Sequence, residues 1–424
     1  MTSSRSLADW PDYRGPWHNG YATAPGDPKP LGLPVRWSER ENVKWKTPIP
    51  HRGWSTPVIL SGQIWLTTAT TNGQDFFAIA ADERSGKILF NERLFHCDTP
   101  EPLGNEVNCY ASPSVALEPG CAYVHFGSYG TACLDTKTFK VIWKRDDLQC
   151  RHFRGPGSSP LIHKDLLVLT MDGIDLQYLV ALDKRTGKTV WKTDRTAEWN
   201  DLGKDGRPER DGDMRKAFST PLVIEANGVM QLISSGSKAS YAYEPATGRE
   251  LWRVNTAAHS PATRPLFDNG LVFVATGSGK SEYLAVRPDG RGNVSDTHVV
   301  WRTVRGAPRL VSPVIADGLI YLLGEGGVMR CVEAPTGNEV WQERVGGEYY
   351  ASPLYGDGYV YCFSTQGNAT VLKAGRSFEV VARNTLNDGF MASAAVAGKA
   401  LVLRTKTQLY RIESGAASVA PPAK

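Results

Sequence analysis

The sequence predicts an all-β protein: an eight-bladed β-propeller of four-stranded antiparallel blades, closed by N- and C-terminal strands that share one blade. Three observations carry this. A small-residue/proline step recurs seven times, with a degenerate eighth. Each step leads into two short apolar runs separated by a Gly or Asp turn, and each unit then closes on a second hairpin. Four short strands in a repeat of this length describe a propeller blade.

The steps are Thr56-Pro57, Ser112-Pro113, Ser159-Pro160, Thr220-Pro221, Arg264-Pro265, Ser312-Pro313, Ser352-Pro353 and Ser393-Ala394-Ala395, with intervals from Pro57 to Ala395 of 56, 47, 61, 44, 48, 40 and 42 residues. The runs PVIADGLIYLL, PLYGDGYVYCF and PLFDNGLVFVA read as hairpins, because Gly, Asp and Asn accept the turn backbone that flanking strands demand. The closing hairpin is clearest in YLVALDKRTGKTVW, where Thr186-Gly187 makes the turn and Trp191 sits on the last strand. The frame recurs to Trp252 and Trp341, more loosely to Trp143, and with a stretched turn to Trp301. Unit one carries Phe90 at the tryptophan position and unit seven has lost it. Unit eight has room for only three strands, while NVKWK at 42–46 lies unpaired ahead of unit one. Placing that segment as the outer strand of blade eight closes the ring and removes two exposed sheet edges. The predicted layout is an N-terminal extension packing on the propeller (1–40), the propeller (41–413) and a disordered tail (414–424).

Composition narrows the class. The 424 residues are 41% hydrophobic and 22% charged, with a net charge of +4, too mild to imply nucleic acid. No apolar stretch approaches the eighteen residues of a membrane-spanning helix. The opening MTSSRSLADW lacks the apolar core of a signal peptide. A native N-terminus therefore predicts a cytoplasmic protein, and a trimmed leader predicts a periplasmic or secreted one. Seven cysteines without a C-x-x-C spacing give no zinc site. One disulfide among Cys97, Cys109 and Cys150 stays open. No G-x-S-x-G, H-E-x-x-H or Walker motif is present.

The ALDKRTGKTVW frame resembles the tryptophan-docking repeat of pyrroloquinoline-quinone-type propellers. The opening WPDYRGP at 10–16 and the phrases NVKWKTPIPHRGWSTPV and PDGRGNVSDTHVVWR are similar to a bacterial branch of that group with no assigned activity. The group includes quinoprotein alcohol dehydrogenases and an outer-membrane assembly lipoprotein, and the resemblance spans about residues 9–413. It implies that Trp45, Trp143, Trp191, Trp252, Trp301 and Trp341 pack between blades, as large flat side chains at a fixed outer-strand position can. It does not carry the cofactor across. The dehydrogenase members hold the quinone with calcium, bound by acidic and amide ligands, under a disulfide of adjacent cysteines, and this chain has no Cys-Cys. Pyrroloquinoline quinone is disfavoured and no cofactor is assigned. Calcium stays an option at Asp289-Gly-Arg-Gly-Asn293-Val-Ser-Asp296, against a plain polar hairpin turn.

Blade geometry places the residues before each proline step, and the loop between second and third strands, on one face around the channel mouth. Those preceding segments hold eleven Arg, Lys and His against two Glu. A funnel lined by one sign concentrates the opposite charge, so the mouth is predicted to bind an anion. The ligand-binding candidates are Arg52, Trp54, Asn108, Arg151, Arg154, Lys216, Arg264, Arg309, Tyr349 and Tyr350. The leading reading is a binding or scaffold protein for an anionic small molecule, an acidic glycan or a protein partner. The alternative is a carbohydrate-active enzyme in the same funnel. Elimination would use His152, His259 or Tyr110 as base with an arginine to stabilise the enolate, and hydrolysis would pair Glu106 with Glu348.

Overall fold

The computed structural model describes residues 9–24, 27 and 29–415. Most of the segment predicted as a tail, residues 416–424, lies outside the described residues. Eight antiparallel sheets follow one another around a central axis, and the chain is otherwise turns and loops with one short 3-10 segment at Glu209–Arg215. Blade one shows the pattern: Val58–Leu60 innermost, then Gln63–Ala69, Asp75–Asp82 and Ile88–His96 outermost. The ring closes in blade eight, where Val43–Pro48 pairs antiparallel with Gln408–Ile412. Inner and middle strands bury both faces, since each blade is covered by its neighbours, and so they read as continuous apolar runs.

The tryptophan frame works as an inter-blade lock. The indole Nε1 atoms of Trp45, Trp143, Trp191, Trp301 and Trp341 donate to the carbonyls of Glu83, Lys184, Pro245, Ala334 and Gly375, at 2.9–3.1 Å. Each carbonyl belongs to the closing turn of the next blade. The glycine of that turn must lie under the ring. A Cβ on Gly248, whose φ is +72°, would stand 2.5 Å from the Trp191 ring. Gly248→Ala is therefore expected to cost about 1–3 kcal/mol in urea unfolding, from left-handed backbone strain and the displaced indole. A change under 0.5 kcal/mol would show that the turn simply relaxes.

Three junctions depart from the frame. Phe90 stacks on Phe139 at 5.2 Å and 10°, so a ring pair replaces indole on glycine between blades one and two. Trp252 does not reach the next turn itself. It donates to Gln231 Oε1 at 2.8 Å, and Gln231 Nε2 donates to Pro288 O at 2.8 Å. The long turn of blade five instead lays Gly292–Asn293 alongside Glu250–Asn255 as a parallel fifth strand of blade four. At the junction of blades seven and eight, Ala382 holds the tryptophan register. Trp37, from the N-terminal segment, stacks there on Tyr361 and Phe363 in a core shared with Leu401 and Leu403.

The second step needs a register correction. Ser112-Pro113 marks the opening of unit two in the sequence, but the strand starts at Ala116, so Ser114-Val115 occupies the place that Thr56-Pro57 holds in blade one. The proline was the misleading signal. The hydroxyl two residues before the strand is what repeats.

Residues 9–22 cross the far end of the channel. Trp10 pairs with Ile59, Pro11 O accepts from Leu117 N, and Tyr355 N donates to Gly20 O, so the segment spans from blades one and two to blade seven. Arg264 pins it, donating to Asp12 Oδ1 at 2.6 Å, to Tyr13 O, and to Pro221 O at 3.1 Å. Farther along, the Asp357 carboxylate accepts the backbone N–H groups of Leu31, Gly32 and Leu33 at 2.7–2.8 Å.

Candidate functional site

The residues ahead of the innermost strands and the second-to-third-strand loops meet at one mouth. They enclose a cavity of about 860 Å³. Its far end carries Tyr13 of the crossing segment, so the channel is blind.

A girdle of side-chain oxygens surrounds the axis at the level of the inner strand starts. Thr56 N donates to Ser114 Oγ, Ser114 N to Ser159 Oγ and Ser159 N to Thr220 Oγ1, each at 2.9 Å. On the other side Arg264 N donates to Ser312 Oγ, Ser312 N to Ser352 Oγ and Ser352 N to Ser393 Oγ, at 2.9–3.0 Å. Each hydroxyl satisfies an otherwise orphaned buried N–H of the preceding blade, which explains why Ser or Thr repeats there. Arg264 takes the eighth place.

Of the residues predicted for this mouth, Trp54, Asn108, Arg154, His259, Arg309, Glu348 and Tyr350 line the cavity. The others do not. Arg264 and Tyr349 are buried, the first on the crossing segment and the second in the core between blades six and seven. His152 and Lys216 are buried together: Lys216 Nζ lies 2.8 Å from His152 Nδ1, and His152 Nε2 lies 3.3 Å from Cys150 Sγ. Burial and the neighbouring ammonium push the His152 pKa well down, and burial brings Lys216 down to about 8. That arrangement fits a neutral imidazole with Nδ1 accepting from lysine, closed off from any substrate. Tyr110 is also buried, its hydroxyl donating to Glu101 O at 3.0 Å. Arg52 stacks over Trp54 at 5.0 Å, and Glu106 is exposed outside the lining. Arg151 faces Glu101 and Asp211 at 2.7 and 3.0 Å.

The single-sign funnel is the main correction. Arg154, Arg210 and Arg309 in the lining are matched by Asp213, Glu325 and Glu348. Asp213 binds Arg154 through two contacts at 2.7 and 2.8 Å, and Glu325 lies 3.1 Å from Arg309. Glu348 accepts from Tyr350 OH at 2.8 Å and Thr365 Oγ1 at 3.2 Å. Basic side chains do stand at the mouth, but Asp213 meets Arg154 from 59 residues away and Glu325 meets Arg309 from the adjoining second-to-third-strand loop. The long connection before blade four supplies both Asp213 and Arg210, carried over the mouth by left-handed backbone at Arg210, Asp211 and Gly212 (φ 51°, 55° and 80°). Tyr13, Asn105, Arg210 and Asp213 are not among the predicted candidates. For the girdle a signal existed in the recurring hydroxyl, whereas nothing local to Tyr13 marks it as a cavity residue.

The carboxylate pair expected for hydrolysis is not assembled, since Glu106 lies outside the lining that holds Glu348. His259, whose pKa burial lowers, lines the cavity with Arg154 and has Ser260 Oγ beside Nδ1 at 3.0 Å. The lining does not fit a calcium-bound quinone. Its three carboxylates already hold Arg154, Arg309 and Tyr350, and no three His, Cys, Asp or Glu side chains converge among the described residues. In the blade-five turn Asn293 Oδ1 accepts from Ser295 N and Oγ, while Asp289 turns to His298 at 3.5 Å. All seven cysteines, Cys97, Cys109 and Cys150 included, are free.

Comparisons with known proteins follow this geometry. The family model described as outer membrane protein assembly factor BamB matches residues 35–201 and 175–415. Outer membrane protein assembly factor BamB of Yersinia pestis is 25% identical over 170 residues, 39% of this chain and 38% of that protein. The match thus spans little more than a third of that relative's length. Among solved structures, BamB from Moraxella catarrhalis superposes with a TM-score of 0.61 at 13% identity, over 87% of this chain and 99% of that one. Quinohemoprotein alcohol dehydrogenase from Comamonas testosteroni gives 0.69 at 13% identity, over 98% and 82%. At such identity these two likenesses show the fold alone.

Proposed function

This chain belongs to the BamB family of pyrroloquinoline-quinone-like propellers, and from that premise we propose that it is a binding scaffold that receives an anionic segment of a partner protein in its blind cavity. The observation that carries the reading is the state of the lining. Its carboxylates are already held, its aromatic groups Trp54, Phe218 and Tyr350 are available for contact, and the His259–Ser260 contact has no carboxylate ion-paired to the imidazole among the described residues. Such a wall recognises and does not transform. Arg210 supports the sign of the ligand, being exposed at the lining with no carboxylate within 4 Å among the described residues. The relatives' name also makes a protein partner the favoured class over a glycan, and an envelope location the favoured compartment. Five of the seven thiols are buried, which shields them in an oxidising compartment.

The test is fluorescence anisotropy against arrayed acidic, neutral and basic hexapeptides. Acidic peptides are expected to bind best, with affinity falling about tenfold in Trp54→Ala and falling with added salt. Preference for basic peptides, or stabilisation only by neutral sugars, would overturn the reading.

A further inference from the structure

The girdle has unused donors. Ser114, Ser159, Thr220 and Ser393 each accept one backbone N–H, and all four line the cavity. A hydroxyl has one proton to give, and none of these four finds an acceptor among the described residues. Ser312 and Ser352 are covered instead, since the Tyr13 hydroxyl sits 3.5 and 3.4 Å from them. The open hydroxyls and the Tyr13 phenol therefore edge one floor.

Charge behind that floor is net positive. Arg14, one residue beyond Tyr13, donates to Pro353 O at 2.6 Å and Pro313 O at 2.9 Å, the carbonyls that directly follow Ser352 and Ser312. Its guanidinium is buried and has no carboxylate partner within 4 Å among the described residues. Arg264 stands in the girdle itself, with Nη2 buried and unbonded. The carboxylate of this layer is Asp12, which serves Arg264 and His18 together. Two guanidiniums against one carboxylate leave a net positive charge behind a ring of hydroxyl donors.

We propose that the floor of the cavity is an oxyanion subsite, in which the hydroxyls of Ser114, Ser159, Thr220 and Ser393 donate to a small oxyanion while Arg14 and Arg264 supply the balancing charge. The subsite rests on the binding reading above and adds where the negative group sits: at the bottom of the cavity, away from the rim arginines. A free phosphate or sulfate and the terminal carboxylate of a peptide entering end-first share this chemistry. The positive charge behind the hydroxyls favours a charged oxyanion over a neutral amide end, which brings no negative charge to set against Arg14 and Arg264.

The experiment is calorimetric and thermal-shift titration of the full chain with inorganic phosphate at constant ionic strength, beside a hexapeptide library with free C-termini and its amidated counterpart. Saturable stabilisation by phosphate is expected, weakened at least tenfold in Ser393→Ala and in Thr220→Val and kept in Arg185→Ala, at an exposed turn outside the cavity. Free-carboxylate peptides are expected to compete with phosphate and amidated ones are not. Because Thr220 and Ser393 also support the backbone, each variant is compared with its own ligand-free melt, and Tyr13→Phe, which keeps the ring in place, gives a second reading at the same floor. Equal phosphate shifts in the wild type and all three floor variants would mean an adventitious ion only and would sink the proposal. So would peptide binding that is sensitive to Trp54→Ala yet indifferent to phosphate and to amidation, and there the scaffold reading would survive. Phosphate binding lost in the floor variants, with no peptide bound at all, would keep the subsite and overturn the scaffold reading. If phosphate competes and free and amidated peptides bind alike, the oxyanion is a free ion and not a chain end.

Discussion

Replacing Arg264 with alanine is expected to lower the unfolding free energy by about 3–5 kcal/mol, the range for breaking a buried ion pair by removing one partner. The side chain is fully buried and ties its own blade five to two other elements: Asp12 and Tyr13 of the crossing segment, and Pro221 of blade four. Alanine leaves the Asp12 carboxylate with only His18 at 3.4 Å, and leaves two carbonyls without this donor. The pH dependence identifies the cause. Burial alone would raise the Asp12 pKa, but Arg264 and His18 outweigh it and hold the carboxyl below its usual value. A depressed folded pKa means that the pair stabilises the protein above the ordinary carboxylate range, near pH 4, and that this contribution fades as pH falls through the lower folded value. In Arg264→Ala burial acts against a weaker opposition, so protonating Asp12 relieves the penalty and the gap to wild type should narrow in acid. Urea melts at pH 7 and pH 4 check this. A loss below 1 kcal/mol, or a gap independent of pH, would remove the ion pair as the pin of the crossing segment. Limited proteolysis should cut the variant first within residues 9–24.

The second large effect is expected at Trp37→Ala, a loss of about 3–5 kcal/mol, as for other buried tryptophan truncations. Trp37 supplies the ring that Ala382 cannot, and its backbone N–H donates to Asn384 Oδ1 at 2.9 Å while Asn384 Nδ2 donates to Val35 O at 3.0 Å. Those backbone bonds survive the substitution, so the lost free energy reports the cavity left against Tyr361 and Phe363. Trp37→Phe should recover a sizeable part of it. Equal losses for alanine and phenylalanine would point to disrupted anchoring of the segment rather than to a void.

Much of the fold could be read because each blade repeats its own instructions. The turn glycine, the aromatic ring four residues beyond it in the regular units, and paired apolar runs are local features, and five indoles dock as the frame implies. The shared closing blade was legible as well, since an unpaired strand and a three-stranded unit complement each other. Where the repeat decays, reading along the chain failed. Ser112-Pro113 mimicked a step that belongs to Ser114, and the absent tryptophan of unit seven gave no hint that Trp37 would fill the gap.

The mouth was legible as a place and not as an inventory. Topology alone puts Trp54, Arg154, Arg309 and Tyr350 around one cavity. Whether Lys216 or Arg264 points inward depends on contacts with partners 44 to 252 residues away. Distance also hid Asp213, 59 residues from Arg154, whereas Glu325, 16 residues from Arg309, sits on a second-to-third-strand loop that topology places at the same mouth.

By itself, then, the sequence determined the class, the blade number, the closing strand and the face that bears the cavity. Those properties follow from hydrogen-bond and packing periodicity within forty to sixty residues, which the repeat states eight times over. The tertiary structure alone decided the charge balance of the rim, the blind end of the channel and the open hydroxyl floor. Each arises where residues from different blades, or from the N-terminal segment, converge on the axis. Coulomb energies and orphaned donors are properties of that three-dimensional neighbourhood, which the local pattern of one blade does not encode.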